Sequence, residues 1–231
     1  MKGFTSLIDI AVRYRVLLWD GTRTTLFLSF VTILIASVLG TFLALAKMSK
    51  LRPLRWAATA YVEIIRGTPL LVQIAIVFYG LPMMGIRLPS LRLGDVDFER
   101  LFSGILALSL NSTAYVCEII RSGIQSIDRG QMEAARAIGF SAPDAMRLVV
   151  LPQAVRNILP ALANEFVTLI KESSQVSVIG MAELMYAADT IRGNSFRPME
   201  PLIIAAAIYF TMTFSLSRLL AFAEKRMGKS S

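Results

Sequence analysis

An all-α protein that crosses a lipid bilayer about five times is the fold class this sequence predicts. Hydrophobic residues fill 55% of its 231 positions, more than the roughly 45–50% of a soluble domain. They gather in runs near the ~20 residues that a helix needs to cross the hydrocarbon core. The basic residues, which leave a net charge of +8, flank those runs. Membrane orientation explains that placement better than nucleic-acid binding.

At the amino-terminal end, residues 1–24 carry Lys2, Arg13, Arg15 and Arg23 without a clean apolar core before a small-residue cleavage site, so no cleaved leader is expected. Phe4, Leu7, Ile8, Ala11 and Val12 recur at helical spacing instead, which predicts a short interfacial amphipathic helix outside the cell. A transmembrane domain is expected over 25–224 and a cytoplasmic tail over 225–231. The first span, 25–46, holds no charge, and Ala36, Gly40 and Ala44 put small residues four apart where another helix can approach. The second span, 56–81, carries Glu63 and Arg66. The third, 101–120, has Glu118 near its end. The fourth, 154–170, is interrupted by Asn157, Pro160, Asn164 and Glu165 and fails a strict hydropathy test. The fifth covers 201–223.

An odd number of spans puts the termini on opposite sides. With the amino terminus outside, the inner segments carry 13 Lys or Arg and the outer segments nine, so that orientation is expected, carboxyl terminus in the cytoplasm. The absence of histidine removes His-based acid–base, nucleophile and metal chemistry. One cysteine, Cys117, makes neither an intrachain disulfide nor a zinc site and reads as a small buried hydrophobe. No catalytic residue, cofactor or metal site is expected. The tail Gly228-Lys229-Ser230 ends like a phosphate-binding loop, but the earlier glycine that such a loop requires would fall at Ala223.

The inner segment from about 121 to 153 is too structured for a simple connector. Asp128 suits a helix N-cap, and Gly139 stands where a helix ends with positive φ. Ser141, Pro143 and Asp144 then start a second helix in capping-box order, and Pro152 is expected to interrupt the chain beyond it. A compact helical pair results, with Met132, Ala134, Ala135, Ile138 and Phe140 giving it apolar surface. On these residues alone it could equally be a linker tucked under its own bundle.

Glu133-Ala134-Ala135, three residues, Gly139, nine residues, Val149, one residue, Leu151-Pro152 resembles the EAA loop of permeases in binding-protein-dependent ABC importers of type I. Further segments resemble the subfamily that imports polar amino acids, opines and related compounds. They are Glu63-Ile-Ile-Arg-Gly-Thr-Pro-Leu-Leu-Val-Gln73, Asn111-Ser-Thr-Ala-Tyr-Val-Cys-Glu-Ile-Ile-Arg121, Gly123-Ile-Gln-Ser126 and Lys171-Glu-Ser-Ser-Gln-Val-Ser-Val-Ile-Gly180. The resemblance covers roughly residues 20–225 and departs at Asp128, where many members have proline, and at Gln175, where an aliphatic residue is common. It implies that Glu133, Ala134, Ala135, Arg136, Gly139, Leu151 and Pro152 couple the chain to a separate cytoplasmic ATPase dimer. It also implies a second permease subunit, identical or homologous, a periplasmic substrate-binding protein, and a bacterial inner membrane.

Charges within spans cost about 2.5–3.5 kcal/mol each at the bilayer centre on insertion scales, so they should pair, face a cavity or reach the interface. Glu63 and Arg66, three apart, could satisfy each other; Glu118 and Glu165 need partners. Lys171, Glu172 and Ser173 offer both signs and a hydroxyl to a zwitterion, or anchor the helix at the interface. The resemblance points to that stretch and to Thr68 and Gln73 as a substrate pathway. Two other classes compete. A membrane enzyme acting on lipid would need a catalytic set that is hard to find without histidine. A channel or secondary transporter would leave the inner loop unexplained and would be expected to show internal repeats.

Overall fold

The computed structural model describes residues 2–86, 92–93 and 96–228. Arg87 and Asp95 of the second outer segment, and Lys229 and Ser230 of the tail, lie outside the described residues.

The helices are α1 (Lys2–Arg13), α2 (Arg15–Lys47), α3 (Arg52–Arg66), α4 (Leu70–Ala75), α5 (Leu81–Met83), α6 (Phe98–Gln125), α7 (Arg129–Ala137), α8 (Ala142–Ala145), α9 (Leu151–Glu172), α10 (Leu184–Ser195) and α11 (Glu200–Gly228). A turn of π-helix over Ile76–Gly80 joins α4 to α5, and another over Met146–Val150 joins α8 to α9. Ser173–Ile179 continues α9 as a 3-10 helix. Two residue pairs, Arg92–Leu93 and Val96–Asp97, form an antiparallel bridge ahead of α6.

Among the described residues, three helices are long and apolar enough to cross a membrane by length and composition: α2, α6 and the Glu200–Phe222 part of α11. The predicted second span is not one rod. It divides into α3 and the α4–α5 segment, bent by 105°, because Gly67-Thr68-Pro69 falls in the middle. The residue before a proline is driven out of the α region, and Pro69 itself sits at φ −64°, ψ 135°. The fourth predicted span is helical as α9, with Pro160 inside it. The first begins at Arg15, ten residues before the predicted start at 25, so α2 runs unbroken through that boundary. Pro152 does not interrupt its helix. The Leu151 N–H reaches back five residues to the Met146 carbonyl, and this wider turn makes room for a proline that has no N–H to donate.

The core runs along α2 in three clusters. Ala36, Ala44, Val116, Cys117, Ile158 and Leu169 fill the first, Leu28, Ile74, Leu108 and Val176 the second, and Leu18, Leu184, Ile191 and Ala205 the third. The small-residue stripe works as its spacing predicts. Ala36 and Ala44 are buried, and a Cβ on Gly40 would come within 2.7 Å of Val116 Cγ1, so α2 and α6 meet at a distance only glycine permits there. The apolar part of α11 is only 6% buried by this chain, which leaves Phe210, Phe214 and Leu219 exposed to lipid or to another chain.

Candidate functional site

The segment between α6 and α9 folds as a capped helical pair. Asp128 accepts a hydrogen bond from the Gly130 N–H at 2.6 Å and starts α7. At the other end Gly139 has φ +100°. Its N–H donates to the Arg136 carbonyl and the Phe140 N–H donates to the Ala135 carbonyl, both at 3.1 Å. These two bonds are the Schellman termination, which satisfies the last carbonyls of a helix through one left-handed residue. The Asp144 N–H donates to Ser141 Oγ at 3.3 Å to open α8, while the Ser141 hydroxyl donates to the Asp144 carboxylate. Capping therefore decides the shape of the loop, residue by residue.

That shape sorts the predicted coupling residues. Glu133, Ala134, Arg136, Gly139, Leu151 and Pro152 are exposed, and Ile138 beside them is 78% exposed. Ala135 is buried, so it holds α7 onto the chain rather than facing outward.

The loop is braced to the helices that carry it. Gln153 Nε2 donates to Gln131 Oε1 at 3.3 Å, and Asn157 Nδ2 donates to Ser126 Oγ at 2.9 Å. A Cβ on Gly123 would lie 2.3 Å from Ile158 Cγ1, so α6 and α9 are in close contact where the loop leaves them. Just above, Glu118 joins Lys47 at 2.6 Å and Arg121 at 2.7 Å, and Arg121 also donates to Gln125 Oε1 at 2.6 Å. The charge in the third span is thus neutralised by a cation on either side, and the end of α2 is tied to the end of α6.

Glu63 and Arg66 do not form the pair their spacing allows. Arg66 lies over the Tyr115 ring, 5.4 Å from its centroid, a cation–π contact, and Glu63 is exposed. Glu165 accepts a hydrogen bond from Ser112 Oγ at 2.8 Å. Glu172 stands two turns further along the same helix, a spacing that returns to the same face.

Thr68 and Gln73 sit at the 105° break. Gln73 is buried; its Nε2 donates to the Ile65 carbonyl and to Thr68 Oγ1, both at 2.8 Å, and its Oε1 accepts from Asn111 Nδ2 at 2.9 Å. Thr68 Oγ1 donates to the Ile64 carbonyl at 2.9 Å. Both side chains are spent on backbone groups that the bend would otherwise leave bare, and Asn111 ties the bend to α6. Ser173 is likewise turned inward, its Oγ donating to the Ile170 carbonyl at 2.9 Å. Lys171 remains exposed and Glu172 half-buried.

One buried carboxylate is invisible to sequence reasoning. Glu183 sits in an outer segment by sequence, yet it is 0% exposed. It accepts from the Tyr186 N–H at 2.8 Å, capping α10, from the Tyr209 hydroxyl at 2.7 Å and from Thr25 Oγ1 at 3.4 Å. It therefore joins α2, α10 and α11. Burial raises its pKa above the ordinary carboxylate value, while hydrogen bonds from Met185, Tyr209, Tyr186 and Thr25 pull it back. Glutamate is a poor N-cap by type, and no local pattern in the sequence signals this role.

Long apolar helices packed on a central pair, with a capped and exposed helical loop at one end, define a multi-pass membrane protein. Residues 36–229 match the family described as "Binding-protein-dependent transport system inner membrane component". The chain belongs to that family and is the membrane-spanning permease component of an ABC importer. It is 40% identical over 209 residues to the arginine transport system permease protein ArtQ of Bacillus subtilis, covering 90% of this chain and 91% of that one. It is 44% identical over 201 residues to the nopaline transport system permease protein NocM of Agrobacterium fabrum, covering 87% and 83%. The crystal structure of an amino acid ABC transporter with histidines superposes with a TM-score of 0.86 at 47% identity, over 93% of this chain and 96% of that one. The methionine ABC transporter MetNI, at 19% identity and a TM-score of 0.65 over 94% and 96%, shares the fold.

Proposed function

We propose that the chain carries a polar amino acid or an opine-type compound into the cell, driven by ATP hydrolysis in a separate subunit that docks on the loop around Glu133 and Gly139. The observation that carries this reading is the loop itself. It is held rigid by its own caps, presents Glu133, Ala134, Arg136 and Ile138 to solvent, and is braced onto α6 and α9. A displacement imposed on it therefore passes into two core helices, the coupling a two-state transporter requires. The relatives carry arginine, glutamine and nopaline in their names, and these substrates share an α-amino acid portion.

Two permease subunits, identical or homologous, would complete the pathway, with an ATPase dimer in the cytoplasm and a soluble binding protein outside. The amino terminus is placed outside and the carboxyl terminus inside, following the excess of Lys and Arg in the inner segments. Within this chain, Glu165 and Glu172 on one face of α9 suit a substrate's ammonium or guanidinium group. Lys171 remains a candidate for its carboxylate, whereas Thr68, Gln73 and Ser173 support the pathway by holding its backbone.

The test is to purify the tagged chain from its native host in mild detergent and identify what accompanies it by mass spectrometry. An ATPase subunit in roughly equal amount, lost when Glu133→Arg is introduced, is expected. A chain that purifies without any ATPase would overturn the assignment of the loop.

A further inference from the structure

A cleft of about 680 Å³ opens at the start of α2, between that helix, the first turn of α6 and the Gly180–Tyr186 connection. Its rim is charged and its floor is apolar. Asp20 and Arg23 line it from α2 and Arg100 from α6, over Phe27, Leu101 and Met181. Arg100 is already engaged: it donates to the Gly180 carbonyl at 3.0 Å and pairs with Asp97 at 3.4 Å. Asp20 and Arg23 are exposed, and among the described residues neither side chain has an ion-pair or hydrogen-bond partner. One acid and one base, three residues apart on a helix, are thus left facing the same cavity.

The position of that pair relative to the bilayer decides what they would meet. Arg23 is the last charged residue before Lys47, and the intervening stretch of α2 is uncharged. The rim therefore stands at the level of lipid headgroups. From the cleft, Phe27, Phe30, Leu34 and Val38 descend along α2, each more than half exposed, at 53%, 53%, 52% and 58%. Their spacing of three to four residues keeps them on one strip. A charged cleft at headgroup depth, continuous with an apolar strip running into the hydrocarbon, is complementary to an amphiphile.

We infer that this cleft binds the headgroup of an aminophospholipid, the phosphate on Arg23 and the ammonium on Asp20, with an acyl chain lying along α2. Under the orientation proposed above, it lies in the outer leaflet. The rim favours a zwitterionic headgroup over an anionic one, because Asp20 and Asp97 balance Arg23 and Arg100. Each headgroup contact is a charge-assisted hydrogen bond, whose loss is expected to cost roughly tenfold in affinity.

The experiment is native mass spectrometry of the intact permease complex, delipidated in detergent and titrated with phosphatidylethanolamine, with phosphatidylglycerol, and with free L-glutamine. Phosphatidylethanolamine should be retained at roughly tenfold lower concentration than phosphatidylglycerol. Asp20→Asn should lose that preference, Arg23→Gln should weaken retention of both lipids roughly tenfold because both carry the phosphate, and Arg23→Lys should retain both. Equal retention of the two lipids by the wild-type complex would overturn the inference without recourse to any variant. So would unchanged preference in Asp20→Asn, unchanged retention of both lipids in Arg23→Gln, or displacement of the lipid by millimolar glutamine, which would make the cleft a solute site. The coupling assignment is unaffected by any of these results.

Discussion

Gly139 offers the sharpest test of how the loop works. Its φ of +100° is open to glycine and strained for any residue with a Cβ, yet a Cβ there would meet no atom within 4 Å. Substitution therefore strains the bend without clashing with anything. Left-handed backbone costs an ordinary residue about 1–2 kcal/mol, and a β-branched residue lies at the unfavourable end. Since 1.4 kcal/mol is a factor of ten, Gly139→Val should shift the equilibrium away from the bent conformation roughly 5- to 30-fold. If the ATPase binds only the bent form, its apparent affinity falls by up to the same factor. Gly139→Asn should cost less, because asparagine tolerates left-handed geometry. The assay is substrate uptake and stimulated ATP hydrolysis in proteoliposomes holding the complete transporter, with thermal stability measured in parallel. Valine should reduce both activities several-fold while lowering Tm by only a few degrees, and asparagine should retain most activity. Wild-type uptake in Gly139→Val would refute the reasoning. An asparagine variant as impaired as the valine one would show that side-chain bulk, not backbone conformation, is the constraint.

The packing yields three further outcomes. Gly123→Ala should destabilise the chain by about 1–3 kcal/mol through overpacking against Ile158, and Ile158→Ala in the same chain should restore part of the loss; additive melting shifts would count against the contact. Glu118→Gln removes the acid between Lys47 and Arg121 and should cost about 3 kcal/mol, the low end for breaking a largely buried pair, read as a lowered Tm in detergent; an unchanged Tm would mean the cluster is only decorative. Glu183 holds its proton more tightly when folded than when unfolded, so it contributes stability that grows as pH falls toward the ordinary carboxylate value and is lost as pH rises through the raised pKa. The Tm of the wild type relative to Glu183→Gln should accordingly improve on acidification, and parallel profiles for the two proteins would remove Glu183 as the cause.

Local chemistry is legible in the sequence wherever one or two residues decide the outcome. Asp128, Gly139 and Ser141 act through bonds to neighbours at most three positions away, so their types announce the caps. The stripe of Ala36, Gly40 and Ala44 is equally readable, because helical spacing alone brings those residues to one face. The break after Arg66 is hidden because hydropathy averages over a window and sees 56–81 as one apolar run. Thr68-Pro69 carries the contrary signal, and nothing in the type or spacing of Gln73 announces that its amide bonds the carbonyls of the bend. The π-helical turn before Pro152 has no signature beyond the proline, which by itself argues for a stop. Glu183 is illegible for a different reason. Its partners, Thr25 and Tyr209, are remote in sequence, and only the packing of three helices turns an apparent surface acid into a buried one.

The loop between α6 and α9 separates two kinds of residue. Those that determine its shape, Asp128, Ala135, Gly139 and Ser141, are engaged with their own backbone or buried beneath it. Those that face outward, Glu133, Ala134, Arg136 and Ile138, are exposed, and among the described residues their side chains form no hydrogen bond or ion pair. Under the proposed docking, drift at the second set would retune recognition while the first set stays fixed. If the ATPase docks there as proposed, such a connector would let a permease exchange one motor for another over evolutionary time without being rebuilt, and the outward four would be the positions to vary when fitting this chain to a foreign ATPase.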